Sequence, residues 1–300
     1  MEANRETIKV VVDQDENQTY KKEEILDSVI LGDALKVLKK LPEKMFDMVF
    51  IDPPYFLQLP KKQLRRWGVK TIVHGVNEDW DKFSSFEEYD KFIQNLLTEV
   101  KRVMKPDATI WVIATYHSVF RIGKIMQDLG YWILNDVIWV KTNPMPNWLG
   151  VRFTNATETL IWAVKDKNVK KYTFHRDYTK QFGIGKIGAN VWVLPICSGK
   201  ERLKDEKGKK VHPTQKPIEL LKRIILTSTN EGDIILDPVA GVGTTGYVAK
   251  ALKRHFVMIE INPIYVEWIK KRFEEPLKIT DKPRISKRKI NQYFKLGDKP

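Results

Sequence analysis

The chain has 300 residues, of which 42% are hydrophobic, and a single cysteine, Cys197. This length favours one α/β core that carries insertions, and one cysteine excludes both a disulfide framework and a cysteine-based zinc site. The amino terminus has no apolar signal segment, and no stretch approaches the ~20 apolar residues that span a bilayer. We therefore expect a cytoplasmic protein that does not interact with membranes.

Basic residues outnumber acidic ones, 52 Lys and Arg against 38 Asp and Glu, which gives a formal net charge of +14. Such a balance favours a polyanionic partner, although lysine-rich proteomes also yield basic proteins without any local reason. Two basic clusters, at 61–66 and 207–210, fall in predicted loops. There they suit phosphate contacts better than a solvated helix face would.

Apolar runs alternate with helical patterns along the chain, which predicts βαβ units around a parallel sheet. In the first half, the strands are predicted at 28–31, 48–51, 109–114 and 131–140. The helices are predicted at 34–40, from a capping box at Ser85 and Glu88 to about 104, and at 118–129.

The periodicity weakens between 141 and 210, where prolines, glycines, tryptophans and basic residues accumulate around one returning strand at 158–164. After Pro217 the alternation resumes, with helices from 218, at 245–253 and at 262–273, and strands at 234–236 and 256–259. The predicted organisation is a first core half at 25–140, an insertion at 141–210, a second core half at 211–275 and a basic tail at 276–300.

The tetrapeptide Asp52-Pro53-Pro54-Tyr55 directly follows the apolar run 48–51. Because proline fixes φ and has no N–H to donate to a sheet, the strand must end here. Its carboxyl end then presents a carboxylate, carbonyl groups and a ring, which together suit a flat group that carries an NH2. Alone, the pattern also fits an ordinary strand-to-turn transition in which Asp52 forms the turn and Tyr55 packs.

A second motif, 237–245, reads Asp-Pro-Val-Ala-Gly-Val-Gly-Thr-Thr and lies between a predicted strand and a predicted helix. Gly241 and Gly243 let the backbone approach a ligand, and Glu260, at the end of the next strand, is placed to accept hydrogen bonds from ribose. The loop lacks both the P-loop lysine and the third glycine of the dinucleotide fingerprint, which disfavours a triphosphate and NAD. Asp237 as a simple helix cap is the alternative.

The two motifs, with His212-Pro213-Thr214-Gln215-Lys216-Pro217 between them, resemble those of the S-adenosylmethionine-dependent DNA amino-methyltransferases. The order of catalytic tetrapeptide, insertion and cofactor loop resembles the permuted β class, and the resemblance covers about 26–273. It implies an α/β fold with a Rossmann-like, seven-stranded, mostly parallel methyltransferase sheet that has one reversed strand. The insertion would be the target-recognition region.

The resemblance also implies roles for individual residues. The catalytic residues would be Asp52, Pro53, Pro54 and Tyr55, with Tyr55 stacking on a flipped base. S-adenosylmethionine would be bound by Asp33, Thr214, Lys216, Asp237, Pro238, Ala240, Gly241, Gly243, Thr244 and Glu260. Asp237 would lie beside the methionine amino group and Lys216 would pair with the methionine carboxylate, whereas a helix cap at Asp33 and a solvated Lys216 are the plain alternatives. The histidines show no metal spacing, and no metal is expected.

A narrower resemblance links the segments 143–147, 152–156, 158–163 and 199–205 to the adenine methyltransferases that modify GANTC. Thr157 stands where those enzymes usually carry histidine, and Val239 where phenylalanine is usual. DNA contacts are predicted at Lys61, Arg65, Arg66, Asn143, Arg152 and Asn155. Arg152 and Asn155 have the chemistry to read base edges, and phosphate contact or structural hydrogen bonding are equal alternatives.

The expected function is site-specific methyl transfer from S-adenosylmethionine to N6 of a flipped adenine in double-stranded DNA, with GANTC as the candidate site. Cytosine-N4 methylation is the nearest alternative, although such enzymes commonly carry Ser in place of Asp52. Methylation of RNA or of a protein amide, where Asn is common, and an inactive DNA-binding relative are further alternatives. The resemblance also allows a homodimer and a cognate restriction endonuclease as partners.

Overall fold

The computed structural model describes residues 7–57, 63–66, 69–72, 81–147, 150–182, 188–274 and 279, with the backbone alone at 63–66 and 69–72. Lys61 and, apart from Ile279, the predicted tail 276–300 lie outside these residues. Within the described ranges, no helix combines the length and the apolar character needed to cross a bilayer.

Strands and helices alternate along the chain as the sequence predicts. The strands are β1 (Lys9–Val12), β2 (Ser28–Leu31), β3 (Phe46–Ile51), β4 (Gln63–Arg66), β5 (Val69–Ile72), β6 (Met104–Ala114), β7 (Trp132–Lys141), β8 (Thr157–Val164), β9 (Val191–Leu194), β10 (Ile234–Asp237) and β11 (His255–Glu260). The helices are α1 (Lys22–Ile25), α2 (Ala34–Lys40), α3 (Phe86–Val103), α4 (Val119–Asp128), α5 (Arg176–Thr179), α6 (Ile218–Ser228), α7 (Thr244–Ala251) and α8 (Pro263–Glu274).

Nine of these strands form one sheet in the order β1-β2-β11-β10-β3-β6-β8-β7-β9. Strand β8 is antiparallel to both of its neighbours, and the other pairs are parallel. The single reversed strand agrees with the sequence prediction, and the described residues contribute nine strands to this sheet. The two edge strands, β1 and β9, have four residues each and were not predicted.

The sheet buries apolar side chains on both faces, which is why its central strands read as continuous apolar runs. Helices α2, α3 and α4 cover one face with residues such as Leu38, Ile93 and Ile122. Helices α6, α7 and α8 cover the other face, for example with Ile225 and Val248. The core is therefore the three-layer arrangement of a doubly wound sheet.

The region 141–210 is interleaved with this sheet and is not a separate block. Strand β8 lies between β6 and β7, and β9 pairs with β7 in parallel at the sheet edge. The described parts of this region that lie outside the sheet are 142–147, 150–156, 165–182, 188–190 and 195–210. Strand β9 was not predicted because four residues in an aromatic-rich stretch carry no clear alternation.

The parallel register brings distant parts of the sequence to one edge of the sheet. Glu260 at the end of β11 lies opposite Leu31 of β2, and Asp237 at the end of β10 lies opposite Met258 of β11. Asp52 directly follows β3, the other neighbour of β10. In open α/β sheets, ligands bind at this carboxyl edge.

Helix α7 packs so closely on β11 that only glycine fits at position 246. A Cβ there would lie 2.6 Å from Met258 Sδ, whereas a Cβ at Gly123 of α4 would meet Ile161 Cδ1 at an ordinary 3.6 Å. We predict that Gly246→Ala lowers the free energy of unfolding by about 1–3 kcal/mol through overpacking. The matched Gly123→Ala should raise it by about 0.5–1 kcal/mol through helix propensity. Urea unfolding measures both, and shifts of the same sign would contradict the packing described.

Candidate active site

A cavity of about 300 Å³ opens at the carboxyl edge of the sheet. Ligand pockets in proteins usually have volumes of ~300 to 1,000 Å³. The predicted catalytic and cofactor residues that line it are Asp33, Asp52, Pro53, Pro54, Tyr55, Thr214, Lys216, Asp237, Pro238, Ala240, Gly241, Thr244 and Glu260. Gly243 lies at the amino end of α7. The two motifs, far apart in sequence, thus share one pocket.

The Asp52 carboxylate is held by two donors. The Tyr55 hydroxyl donates to Oδ1 at 2.6 Å, and Lys216 Nζ donates to Oδ2 at 2.6 Å. Burial raises the pKa of Asp52, and the Lys216 ammonium partly offsets that rise. The carboxylate is therefore fixed in one orientation, with its charge compensated by the Lys216 ammonium.

A second carboxylate, which the sequence analysis did not select, belongs to Glu158 of β8. Its Oε1 lies 2.8 Å from Lys141 Nζ, and its Oε2 lies 3.4 Å from the Tyr55 hydroxyl and 4.0 Å from Lys216 Nζ. Because β8 is reversed, its first residues lie at the carboxyl edge of the sheet. A charged residue two positions before the buried run 160–164 was the available signal.

Tyr55 is buried between these charges. Burial, followed by the negative charges of Asp52 and Glu158, raises the pKa of Tyr55 well above its usual value, so the phenol stays a hydrogen-bond donor. Lys216 Nζ lies 5.1 Å from the centre of its ring. The next residue, Phe56, packs against Phe83 and Tyr89.

Strand β10 ends at Asp237, whose carboxylate closes the turn into α7. Val239 N donates to Oδ1 at 3.1 Å, and the Thr245 hydroxyl donates to Oδ2 at 2.5 Å. Burial raises the pKa of Asp237 to about 7. The carboxylate thus stabilises the loop and faces the cavity, but it does not cap α7, whose N-cap position is Gly243.

Gly241 and Gly243 both have positive φ values, +55° and +70°. A Cβ on Gly241 would lie 3.1 Å from His212 Nε2, and one on Gly243 would lie 2.9 Å from Ile269 Cγ1. The sequence analysis attributed both glycines to close approach of a ligand. In the structure, backbone conformation and protein packing already require them.

Both oxygens of Glu260 accept backbone hydrogen bonds. Gly241 N donates to Oε2 at 2.7 Å, and Asn262 N donates to Oε1 at 2.8 Å. Burial raises the pKa of Glu260 to about 7. Each carboxylate oxygen has a second lone pair. Acceptance of ribose hydroxyls at Glu260 remains a prediction.

Two further predicted cofactor residues have structural contacts of their own. Asp33 Oδ1 accepts the Lys36 N–H at 3.0 Å and so caps α2, the plain alternative for this residue. Thr214 N donates to His212 Nδ1 at 3.2 Å. Burial lowers the pKa of His212 to about 3, which keeps this ring neutral. In the described parts of the chain, no three His, Cys, Asp or Glu side chains are grouped to hold a metal ion.

The predicted DNA contacts differ in their surroundings. Asn143 Oδ1 accepts the Ile196 N–H at 2.8 Å, the structural hydrogen bonding that was left open for this region. Arg152 and Asn155 are exposed, and Arg152 Nη1 donates to the Tyr116 hydroxyl at 2.7 Å. Arg65 and Arg66 lie in β4, which pairs with β5 as a hairpin and whose side chains are not described.

Comparisons with known proteins agree with this site. A family model described as DNA methylase matches residues 46–271. The chain is 47% identical to the type II methyltransferase M.HinfI of Haemophilus influenzae over 84% of the chain and 69% of that protein. It is 40% identical to the type II methyltransferase M2.DpnII of Streptococcus pneumoniae over 82% of the chain and 89% of that protein.

Among solved structures, the M1.HpyAVI–SAM complex is similar, with a TM-score of 0.58 and 26% identity over 81% of this chain and 97% of that one. The family match spans well over half of the chain, and the two curated relatives cover most of it. The chain therefore belongs to the DNA methylase family and is a methyltransferase.

The raised pKa of Glu260 predicts a pH-dependent stability. A buried carboxyl group with a folded-state pKa of about 7 holds its proton more tightly in the folded than in the unfolded chain between about pH 4 and pH 7. Its contribution to stability is therefore lost as the pH rises through 7. We predict that wild type loses free energy of unfolding relative to Glu260→Gln between pH 5 and pH 8.

Urea unfolding of both proteins at several pH values measures this difference. His212, whose lowered pKa has the opposite effect, is present in both and cancels in the comparison. A difference between the two proteins that is independent of pH would contradict the assignment.

Proposed function

We propose that this chain transfers a methyl group from S-adenosylmethionine to N6 of an adenine flipped out of double-stranded DNA. The observation that carries the proposal is the single cavity lined by both Asp52 and the 237–245 loop. In this cavity, an amino group held at Asp52 would face a ligand bound by the 237–245 loop. The named relatives, both type II methyltransferases, support a site-specific reaction on DNA.

The tetrapeptide suits an exocyclic amine. The lone pair of adenine N6 is delocalised into the ring, so the group is a weak nucleophile. Hydrogen bonds from its NH2 to the Asp52 carboxylate and the Pro53 carbonyl would localise that lone pair and direct it. The Tyr89 hydroxyl already donates to the Pro54 carbonyl at 2.8 Å, which is consistent with Pro53 as the acceptor for the base. Positioning and electrostatics would supply most of the rate.

The polar groups of the cavity fit the proposed cofactor. Lys216 would pair with the methionine carboxylate, Asp237 with the amino group and Glu260 with the ribose hydroxyls. The ammonium of Lys216 has three donors, so it can hold Asp52 and a ligand carboxylate together. When bound, S-adenosylmethionine supplies an electrophilic methyl group on a sulfonium.

The proposed methyl transfer requires no strong base to remove the proton from N6. A bond forms between N6 and the methyl carbon while the carbon–sulfur bond breaks, and N6 then releases one proton. Asp52 accepts hydrogen bonds from this amine in the proposed pose and passes the proton to water. Tyr55 orients Asp52 through its hydroxyl, which stays protonated because its pKa is raised well above the usual value.

Asp52 favours adenine over cytosine, since cytosine-N4 enzymes commonly carry Ser at this position. We also propose the permuted β class, with a seven-stranded arrangement as the inner part of the nine-stranded sheet. In this arrangement 25–140 is the catalytic half and 211–275 the cofactor half. The proposal also has narrower parts: the target sequence is GANTC, the protein forms a homodimer, and it has a cognate restriction endonuclease.

We assign target recognition to the connection between β7 and β8, the part of the 141–210 region that lies outside the sheet at its carboxyl edge. In the connection between β7 and β8, Val151 and Phe153 are 78% and 98% exposed, on either side of Arg152. Apolar side chains in contact with unstacked bases, and arginines on phosphates or base edges, are common at nucleic-acid interfaces. Because β8 begins at the carboxyl edge, this connection lies beside the pocket that contains Asp52.

The enzymatic proposal is tested with labelled S-adenosylmethionine and double-stranded DNA. We expect wild type to incorporate label, and Asp52→Ala to be slower by about 100-fold or more because the acceptor for the amine is lost. Asp128→Ala removes an exposed acid of α4 that pairs with Lys124, and it should keep the wild-type rate. Absence of incorporation by wild type, or full activity of Asp52→Ala, would reject the proposed reaction.

The DNA-binding assignment is tested by Arg152→Ala and its salt dependence. If Arg152 contacts a phosphate, binding should weaken equally for all sequences and the salt slope should fall by about one. If it reads a base, the loss should be about 1–3 kcal/mol and confined to the cognate site. Arg176→Ala is the control, since this exposed arginine starts α5 beside the end of α6, at the opposite edge of the sheet. Equal effects of the two changes would contradict the assignment.

A further inference from the structure

Three successive backbone N–H groups of the catalytic loop converge on one buried carboxylate, that of Asp81. Tyr55 N and Phe56 N both donate to Oδ1 at 2.7 Å, and Leu57 N donates to Oδ2 at 3.2 Å. Convergent N–H groups of this kind form an anion-binding nest. Here the anion is a side chain of the same protein, 24 residues beyond Leu57.

This contact holds a backbone conformation that the sequence does not favour. Phe56 has a φ of +50°, in the left-handed region, which is uncommon for a bulky residue without local support. Such a conformation costs energy and persists where the surroundings impose it, often at functional sites. The two shortest hydrogen bonds to Asp81 come from Phe56 itself and from Tyr55.

The same part of the chain also holds the loop from its other side. The Tyr89 hydroxyl donates to the Pro54 carbonyl at 2.8 Å, and the rings of Phe83 and Tyr89 pack on Phe56. Residues 81–89 therefore fix both the carbonyl and the N–H side of the tetrapeptide backbone. The contacts with 81–89 hold the backbone of Tyr55, whereas its hydroxyl donates to Asp52 at the far end of the side chain.

We infer that Asp81 is a positioning residue for methyl transfer, and that it acts through the backbone of Tyr55 and Phe56. This inference rests on the proposed function and deepens it. The three hydrogen bonds orient Tyr55 so that its hydroxyl donates to Asp52 at 2.6 Å and its ring lies beside Lys216. Removal of the carboxylate frees the loop, so that Asp52 and Tyr55 no longer share one geometry.

Asp81 also lines the cavity, so a direct role in cofactor binding is the competing explanation. The two roles differ in what they change. A positioning residue alters the rate of the chemical step at saturating cofactor, whereas a cofactor ligand alters the dissociation constant. Single-turnover rates and calorimetric binding of S-adenosylmethionine separate them.

The test uses the full chain with two substitutions of similar size. Asp81→Asn keeps one oxygen that can accept the N–H groups of Tyr55 and Phe56, whereas Asp81→Leu has no acceptor. At saturating cofactor and DNA, we expect the single-turnover rate to fall about 10-fold for Asp81→Asn and about 100-fold for Asp81→Leu, as misplaced reacting groups do. The cofactor dissociation constant should stay within about 3-fold of wild type in both, because positioning alters the step after binding.

Asp90→Asn is the matched control. Asp90 is on the nearby helix α3, where it pairs with Arg121. Because this pair is separate from the contacts of Asp81, removal of the Asp90 charge should leave the single-turnover rate unchanged. A folded Asp81→Leu protein with a wild-type rate would overturn the inference, as would a rate loss that is matched by an equal loss of cofactor affinity. If Asp81→Leu does not fold, a wild-type rate in Asp81→Asn overturns it.

A crystal structure of the Asp81→Leu protein, which has no acceptor for the loop, gives a readout that does not depend on activity. We expect the Tyr55 hydroxyl to leave Asp52, and an unchanged loop would contradict the inference. Wild-type methylation in the same series tests the proposed function separately. If wild type transfers no methyl group, the proposed function fails, while the position of Tyr55 in the variant still decides the role of Asp81.

Discussion

The parallel pairing of β2, β11, β10 and β3 is the constraint on which the site depends. Each of these strands ends at the same edge of the sheet, and acidic residues stand at or just after their ends. Asp52 and Glu260, separated by about two thirds of the chain, thereby reach one cavity. A one-residue slip in β10 would turn Asp237 to the other face of the sheet.

Burial of charge is the second organising feature. The Tyr55 hydroxyl donates to Asp52 and lies 3.4 Å from Glu158, and Lys216 and Lys141 pair with these two carboxylates. Buried charges are tolerated when they are paired and hydrogen-bonded. The pairing here fixes side chains that otherwise would rotate, and a fixed carboxylate is what the activation of a weak nucleophile requires. The reversed strand β8 is part of this site because it supplies Glu158.

The sequence predicted those features that reside in short local patterns. The strand that ends at the tetrapeptide, the turn at 237–243 between β10 and α7, and the order of the predicted strands and helices were confirmed by the structure. The prediction of a loop at 61–66 was wrong for 63–66, which form β4. Strands β1, β4, β5 and β9 were missed, whereas the equally short β2 and β10 were predicted because a turn motif and a helical pattern follow each of them. The contacts of Asp81 and Glu158 were missed because they join segments whose proximity only the fold determines. The structural hydrogen bond of Asn143 to Ile196 was hidden from the sequence for the same reason.

The most direct measurement for the central claim is the identity of the modified nucleoside. Plasmid DNA is incubated with the purified protein and S-adenosylmethionine, digested to nucleosides and analysed by mass spectrometry. If Asp52 directs an adenine amine to the methyl donor, N6-methyladenine appears with wild type and is lost with Asp52→Ala. N4-methylcytosine in its place, or no methylated nucleoside at all, would contradict the account.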